Sequence, residues 1–263
     1  SLLDQMMVTK GADPNLIWYQ GYAEYLEWPR EWKAVREHFE EVLKLKPALT
    51  NTWFFLAQGA MDEGVRLDTA GEASRSSNAF IYSGRGWAKY FKDYGKTYAA
   101  SSRALADGGD QVVGQMKWLA GLLAARREST IALELLYWAS TVQEKDVELW
   151  NNIALLERDF GDQNKALSAY ATAGELAPSD PQILNDWAVV LHYYVNQELW
   201  KEFYGLKRMR ESPPFAETGE QLERYKWLLD KLLKDDKAAL DLYQKAIVLA
   251  EPLLASGKLK GEE

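Results

Sequence analysis

The sequence predicts an all-α solenoid assembled from stacked antiparallel helix pairs. Three observations carry this: a side-chain pattern that returns every 34 residues, small residues at fixed places within it, and helix-boundary residues between its copies. Met116, Leu119, Ala120 and Leu123 return as Trp150, Ile153, Ala154 and Glu157, then as Leu184, Trp187, Ala188 and Leu191. A second set, Ala132, Leu136 and Ala139, returns as Ala166, Tyr170 and Ala173, then as Trp200, Tyr204 and Lys207. Steps of three and four place each set on one helix face, and the alanines let paired helices approach closely.

The boundaries agree with the pattern. Asp146 and Asp180 are placed to cap helix N-termini, and Pro181 stands at a first helical position. Gly161 falls between the two helices of the middle copy, Asp162 is placed to cap the second, and Pro178 follows that helix, which it cannot continue. With these residues in place, 147–180 resembles the tetratricopeptide repeat family. Trp150, Ile153, Ala154, Gly161, Ala166, Tyr170, Ala173 and Pro178 occupy signature places, and Glu157 stands where an aromatic is usual. The copy at 181–214 keeps Trp187, Ala188 and Tyr204 but carries Trp200 and Lys207 at small places, which predicts a bulkier or differently packed second helix. The copy at 113–146 has Leu119, Ala120, Ala132 and Ala139 and lacks the terminal proline. The resemblance implies a right-handed superhelix whose inner helices line a concave surface.

On either side the pattern is degenerate. Within 1–112, Tyr19, Tyr22, Ala23 and Leu26 return as Trp53, Leu56, Ala57 and Ala60, then as Trp87, Tyr90, Phe91 and Tyr94. Val35, Phe39 and Val42 supply a second helix that stops at Pro47. Only 29 residues separate Trp87 from Met116, so the phase slips by five, and Gly84, Gly86, Gly95, Gly108 and Gly109 are expected to interrupt this stretch. Residues 64–80, with Thr69, Ala73 and Ser76 at helical spacing, read as a further second helix. At 215–263 a last helix pair is expected: Thr218 and Gln221 have capping-box spacing, Asp235 or Asp236 starts the final helix, and Ala239, Tyr243 and Ala246 restore the small–aromatic–small set. The loop around Ser212-Pro213-Pro214-Phe215 absorbs five extra residues, and the tail after Pro252 is expected to fray. A 34-residue hairpin cannot bury its apolar face alone, so each copy needs its neighbours, and the 11 Trp, 14 Tyr and 8 Phe suit helices inserted between others.

Composition narrows the function. Hydrophobic residues make up 47% and charged residues 27% of the 263, the balance of a folded protein. The net charge of −8 argues against non-specific nucleic-acid binding, which needs clustered Lys and Arg. The most apolar run, Trp118 to Ala125, is far short of the ~20 residues a membrane span requires, so no membrane insertion is expected. SLLDQMMVTKG has neither a basic region nor an apolar core, so no signal peptide is read there. The missing cysteines and the start at Ser1 lean toward an exported bacterial protein and suit a trimmed cytosolic chain as well. Absence of cysteine also removes disulfides, thiolate metal sites and a cysteine nucleophile.

Catalytic chemistry finds no constellation. His38 and His192 are the only histidines, and neither has metal-type spacing to further ligands, so no metal and no cofactor are expected. There is no nucleophile elbow and no phosphate loop; Gly84-Arg85-Gly86 reads as a turn. Glu40 and Glu41 are adjacent on a helix and diverge. The chain is therefore expected not to be an enzyme. Trp87, Tyr90, Phe91, Tyr94 and Tyr98 are interleaved with Lys89, Lys92 and Lys96, and their spacing reads as one buried stripe with lysines on the wet side.

What the resemblance implies is a non-catalytic scaffold or adaptor that docks a protein or peptide partner in its concave face. The residues that the family pattern points into that face are Trp118, Asn152 and Asp186, flanked by Lys117, Asn151 and Asn185. One turn further lie Leu155, Arg158, Asp159, Val189, His192 and Tyr193. Asn152 can both donate to and accept from an extended peptide backbone. Gln182 and Asp186 stand where the family's clamp for a free carboxylate needs basic groups, so that ligand is not expected. Two other readings stand beside this one: a structural subunit of a larger complex held through aromatic surfaces, and a glycan- or small-ligand-binding accessory protein using the rings at 80–98.

Overall fold

The computed structural model describes residues 13–27, 32–211 and 218–256; SLLDQMMVTKG, the Ser212–Phe215 loop and the tail past residue 256 lie outside the described residues. All regular structure among the described residues is helical, and most helices pack against a neighbour in sequence. The chain divides into two compact units, one ending at Glu144 and the other starting at Lys145.

The first unit holds α1 (Pro14–Leu26), α2 (Trp32–Leu45), α3 (Thr52–Thr69), α4 (Ala73–Arg103), α5 (Asp110–Ala125) and α6 (Ser129–Val142). The α1–α2 pair is closed by Val35, Phe39 and Val42, which are fully buried as their spacing predicts. On α1 the buried face is Leu16, Ile17 and Gly21, whereas Tyr19, Ala23 and Leu26 are exposed. The expected register is therefore rotated: α1 turns its rings along the α2–α3 surface, where Trp18 stacks on Tyr22 and meets Phe55 edge-on. The expected helix over 64–80 does not exist. Gly71, at φ +77°, ends α3 and lets α4 begin at Ala73.

From there α4 runs 31 residues without interruption, through Gly84, Gly86 and Gly95. These glycines are contact points and not turns. A Cβ on Gly86 would lie 2.9 Å from the Ala57 Cβ, so its absence is what lets α4 lie against α3. Ser83 Oγ donates to the Ala57 carbonyl at 2.7 Å in the same contact. The aromatic stripe of α4 packs inward: Trp87 is buried, and Phe91 stacks face to face on Trp138 of α6 with centroids 4.0 Å apart. Met116, Leu119, Ala120 and Leu123 of α5 and Ala132, Leu136 and Ala139 of α6 are buried as the period requires.

The second unit holds α7 (Val147–Phe160), α8 (Gln163–Leu176), α9 (Pro181–Val189) continued by a π-helical turn over Val190–Tyr194, α10 (Gln197–Arg210) and α11 (Gly219–Ala255). Asp146, Asp162 and Asp180 each accept backbone amides at their helix starts. At the place of the usual aromatic, buried Glu157 accepts the Asp162 amide at 2.7 Å, across the turn that Gly161 opens. Trp150 is only half-buried.

The third copy departs from its period. α9 does not pair with α10. Its partner is the C-terminal half of α11, where Ala239, Leu242 and Ala246 bury against Leu184 and Ala188. The physical reason lies in the small places: Trp200 and Lys207 are too large for the close approach that Ala166 and Ala173 allow, while Ala239 and Ala246 restore it. α10 instead turns Phe203 onto Leu228 and Leu232 of the N-terminal half of α11, leaving Tyr204 and Lys207 exposed. The expected last helix pair is consequently one helix of 37 residues, opened by the Thr218–Gln221 capping box and continuing through Pro252. Asp235 and Asp236 start nothing; they lie inside it and reach the π turn.

Candidate functional site

Ten of the twelve sequence-predicted site residues lie in the second unit. On α7, Asn151, Asn152, Leu155 and Arg158 are half-buried, and Asn151 holds a buried Oδ1 without a hydrogen-bond partner among the described residues. Asn185 is exposed on α9 and donates to Asp186 at 3.4 Å. Val189 and His192 lie at and just past the end of α9. The other two residues, Lys117 and Trp118, belong to the first unit; Trp118 is 46% exposed and meets Phe80 edge-on, beside a shallow cleft against Met61 and Val65 of α3.

Arg158 ties part of this set together. Its guanidinium pairs with Asp159 at 2.7 Å and lies 5.9 Å from the Tyr194 ring centre. The hydrogen bond to Asp159 holds its pKa above the ordinary arginine range, against the opposing pull of burial. Burial raises the Asp186 carboxyl above the usual carboxylate range, with Asn185 and Arg158 pulling it back. Burial and the neighbouring Asp186 charge push the Tyr170 hydroxyl far above its ordinary value, with Arg158 opposing. A cation, a reluctant carboxylate and two tyrosines therefore share one stretch of the α7–α9 face.

Beyond it opens a cleft of about 1170 Å³ between the π turn, α10 and α11. The π turn builds one wall. The Val195 amide donates to the Val190 carbonyl five residues back, and the Leu191 carbonyl takes a hydrogen bond from Asn196 Nδ2 at 3.2 Å. Fully buried Asn196 also donates to Asp235 at 2.9 Å, while Asp235 receives Lys231. His192 Nδ1 lies 2.9 Å from Asp236 Oδ1. Two consecutive carboxylates of α11 thus clasp the turn and aim Val189, His192 and Tyr193 into the cleft. The opposite wall is α10, with Trp200 stacked on Tyr204 and with Lys201 and Arg208 at the rim.

Val189, His192 and Tyr193 are the predicted residues that line this cleft; Trp200, Lys201, Tyr204, Arg208 and Asp236 were not anticipated. One signal pointed toward them. Trp200 and Lys207 violate the small places of the period, and a helix that cannot enter the close-packed groove leaves its rings elsewhere. Nothing local in the sequence announces the His192–Asp236 pair, whose members stand 44 residues apart.

The helices of the second unit carry small residues at their close contacts, aspartate caps at their starts, and Gly161 and Pro178 at the turns. This pattern is similar to that of tetratricopeptide repeats. No protein-family model matches the sequence. The photosystem I assembly protein Ycf3 of Cyanophora paradoxa is 42% identical over 64 residues, 23% of this chain and 37% of that protein, so the chain spans little over a third of that relative. Among solved structures, MamA protein is similar over 95% of this chain and 98% of its own at 14% identity and TM-score 0.37. YrrB, described as a TPR protein with an unusual peptide-binding site, is similar over 98% of this chain and 99% of its own, at 14% identity and TM-score 0.34. The TPR2AB domain of yeast Sti1 in complex with pHSP90 covers 93% of this chain and 89% of its own, at 10% identity and TM-score 0.32. Among the described residues no helix is long and apolar enough to cross a membrane, and no group of three or more His, Asp and Glu is placed to hold a metal ion.

Proposed function

We propose that the protein is a non-catalytic scaffold that docks a segment of a partner protein, and that the inner helices of the tetratricopeptide-like units carry the contact. In the second unit the docking residues are Asn151, Asn152, Leu155 and Arg158 on α7, with Asn185, Asp186, Val189 and His192 on α9 and its π turn; Lys117 and Trp118 serve the first unit. The observation that supports this reading is the open cleft of about 1170 Å³ in which Val189 and His192 meet a stacked Trp200–Tyr204 pair. Aromatic anchors beside adaptable polar groups are the composition of a protein-binding hot spot. The partial relative's name, an assembly protein, is in keeping with a scaffold that brings subunits together.

The test is co-purification from the native source, with mass spectrometry of what stays attached, comparing the native sequence with Asn152→Ala/Arg158→Ala/His192→Ala. Loss of a partner by at least about tenfold, with the helical circular dichroism unchanged, is expected for a hot-spot contact of about 1.4 kcal/mol or more. Recovery of every partner at unchanged affinity refutes the groove.

A second reading, a structural subunit held through its outer surfaces, is favoured by one feature. Leu233, Leu240, Ile247 and Leu254 recur every seven residues on α11 and are all exposed. Partner retention by the triple variant together with its loss from Leu240→Lys/Ile247→Lys would select it. The glycan-stacking reading loses Trp87, which is buried, and the face of Phe91 that Trp138 covers.

A further inference from the structure

A second cleft lies in the first unit, between α4 and α6, and plays no part in the reading above. Its setting is unusual in charge. The chain carries −8 overall, yet α4 holds six basic residues, Arg75, Arg85, Lys89, Lys92, Lys96 and Arg103, against one acid, Asp93. Four of the six are engaged: Arg75 with Glu72, Arg85 with Glu128 at 3.0 Å, Lys89 over the Trp53 ring at 3.9 Å, and Arg103 on the Thr141 carbonyl at 2.6 Å. Lys92 and Lys96, one helical turn apart, are exposed at the mouth of the cleft and pair with no group among the described residues.

The cleft they border is apolar and open, about 710 Å³. Its α4 wall is low because Ala88, Gly95 and Ala99 are small, and its aromatic wall is the Phe91–Trp138 stack. Trp138 Nε1 donates to the Gly95 carbonyl at 3.0 Å, which locks the ring and leaves it no free donor. The far rim is α6, with Tyr137, Thr141 and one carboxylate, Glu134. From Ala88 to Arg103 the trough runs about 22 Å at the helical rise, the length of roughly four turns. An open cleft between two helices, bordered by small residues, can receive the ridge of a third helix.

We propose that the α4–α6 cleft docks an acidic amphipathic helix of a partner protein. Apolar side chains at i, i+3 or i+4, and i+7 of that helix seat on the Phe91–Trp138 wall, and Asp or Glu on its flank reach Lys92 and Lys96. Charge complementarity selects the occupant. Two unpaired cations beside an apolar trough favour anionic flanks, and a short helix meets their local field while presenting far less charge to a chain of net −8 than a nucleic acid or an anionic bilayer does. A recessed trough also suits a helix better than it suits a flat lipid surface. The site uses residues of the first unit alone and none of the docking residues proposed above, so the two proposals fail independently.

The probe is a synthetic helical peptide with leucines at i, i+3, i+4 and i+7 flanked by glutamates, compared with a twin in which lysines replace the glutamates. Binding is read by fluorescence anisotropy and located by hydrogen–deuterium exchange. The acidic peptide is expected to bind at least about tenfold more tightly than its twin and to protect amides of α4 and α6. Lys92→Glu/Lys96→Glu is expected to weaken it by at least about tenfold, and Lys92→Gln/Lys96→Gln by less. Raising salt from about 0.1 M to about 1 M, which shortens the Debye length from about 10 Å to about 3 Å, should erase most of the difference. Asn152→Ala/Arg158→Ala should leave it intact. Equal binding of the two peptides, indifference to the lysine variants, or protection confined to other helices overturns the proposal. So does tighter lysine-dependent binding to phosphatidylglycerol vesicles than to the acidic peptide, which would assign the strip to lipid. Both lysines are exposed, so a folded variant is expected, and circular dichroism verifies it.

Discussion

Glu157 and Gly161 offer the sharpest stability experiment, because each explains the other. Glu157 is 3% exposed and its carboxylate takes the Asp162 amide at 2.7 Å, a charge-assisted bond at the start of α8. A Cβ added to Gly161 would clash with the Glu157 Oε2 atom and lie 3.0 Å from its Cδ and 3.2 Å from its Cα. Gly161→Ala must therefore expel the carboxylate and lose the hydrogen bond, which costs about 1.5–3 kcal/mol when one partner is charged. Glu157→Ala loses the same bond and should cost a similar amount. If the two losses are one, the double variant costs little more than either single change, and the coupling energy is about 1.5–3 kcal/mol. Independent losses would add to about 3–6 kcal/mol. Native-state hydrogen exchange of the α7 and α8 amides gives the local free energies without assuming that the whole chain unfolds in one step. Additivity within about 0.5 kcal/mol would refute the idea that the glycine is there to admit the glutamate.

Two further outcomes follow from the packing and the charges. Ala239→Leu should destabilise by about 1–3 kcal/mol through overpacking at the α9–α11 contact, while Lys207→Leu, at the place the 34-residue period assigns to that contact, should stay within about 0.5 kcal/mol; thermal melts separate them. Asp186 has a folded-state pKa raised by burial, so the native state holds that proton more tightly than the unfolded chain does. Its contribution to stability is present below the unfolded value near ~3.9 and is lost as pH rises through the raised value. Asp186→Asn should remove that slope and stabilise the protein above the window, and midpoint temperatures measured from acid to neutral pH show it.

The sequence alone determined the local rules. Spacings of three and four decide a helix face wherever a helix has neighbours on both sides, which is why Leu119, Ile153, Ala154 and Tyr170 are buried where the period places them. Caps are equally local: Asp146, Asp162, Asp180 and Thr218 reach amides two or three residues away, so their chemistry is written in adjacent letters. Tertiary structure alone decided the pairing of elements. A small–aromatic–small set marks a helix that fits a groove without saying which groove, and α9 found its partner across the chain in Ala239 and Ala246. Glycines behaved likewise, because a missing Cβ serves a turn or a close helix contact, and only the presence of α3 beside Gly86 tells which. The candidate site follows the same division. Arg158, Val189 and His192 were legible from the repeat, whereas the clasp of Asp235 and Asp236 and the exposed rings of α10 exist because the long α11 packs on both α9 and α10, an arrangement set by long-range burial that no short stretch of sequence encodes.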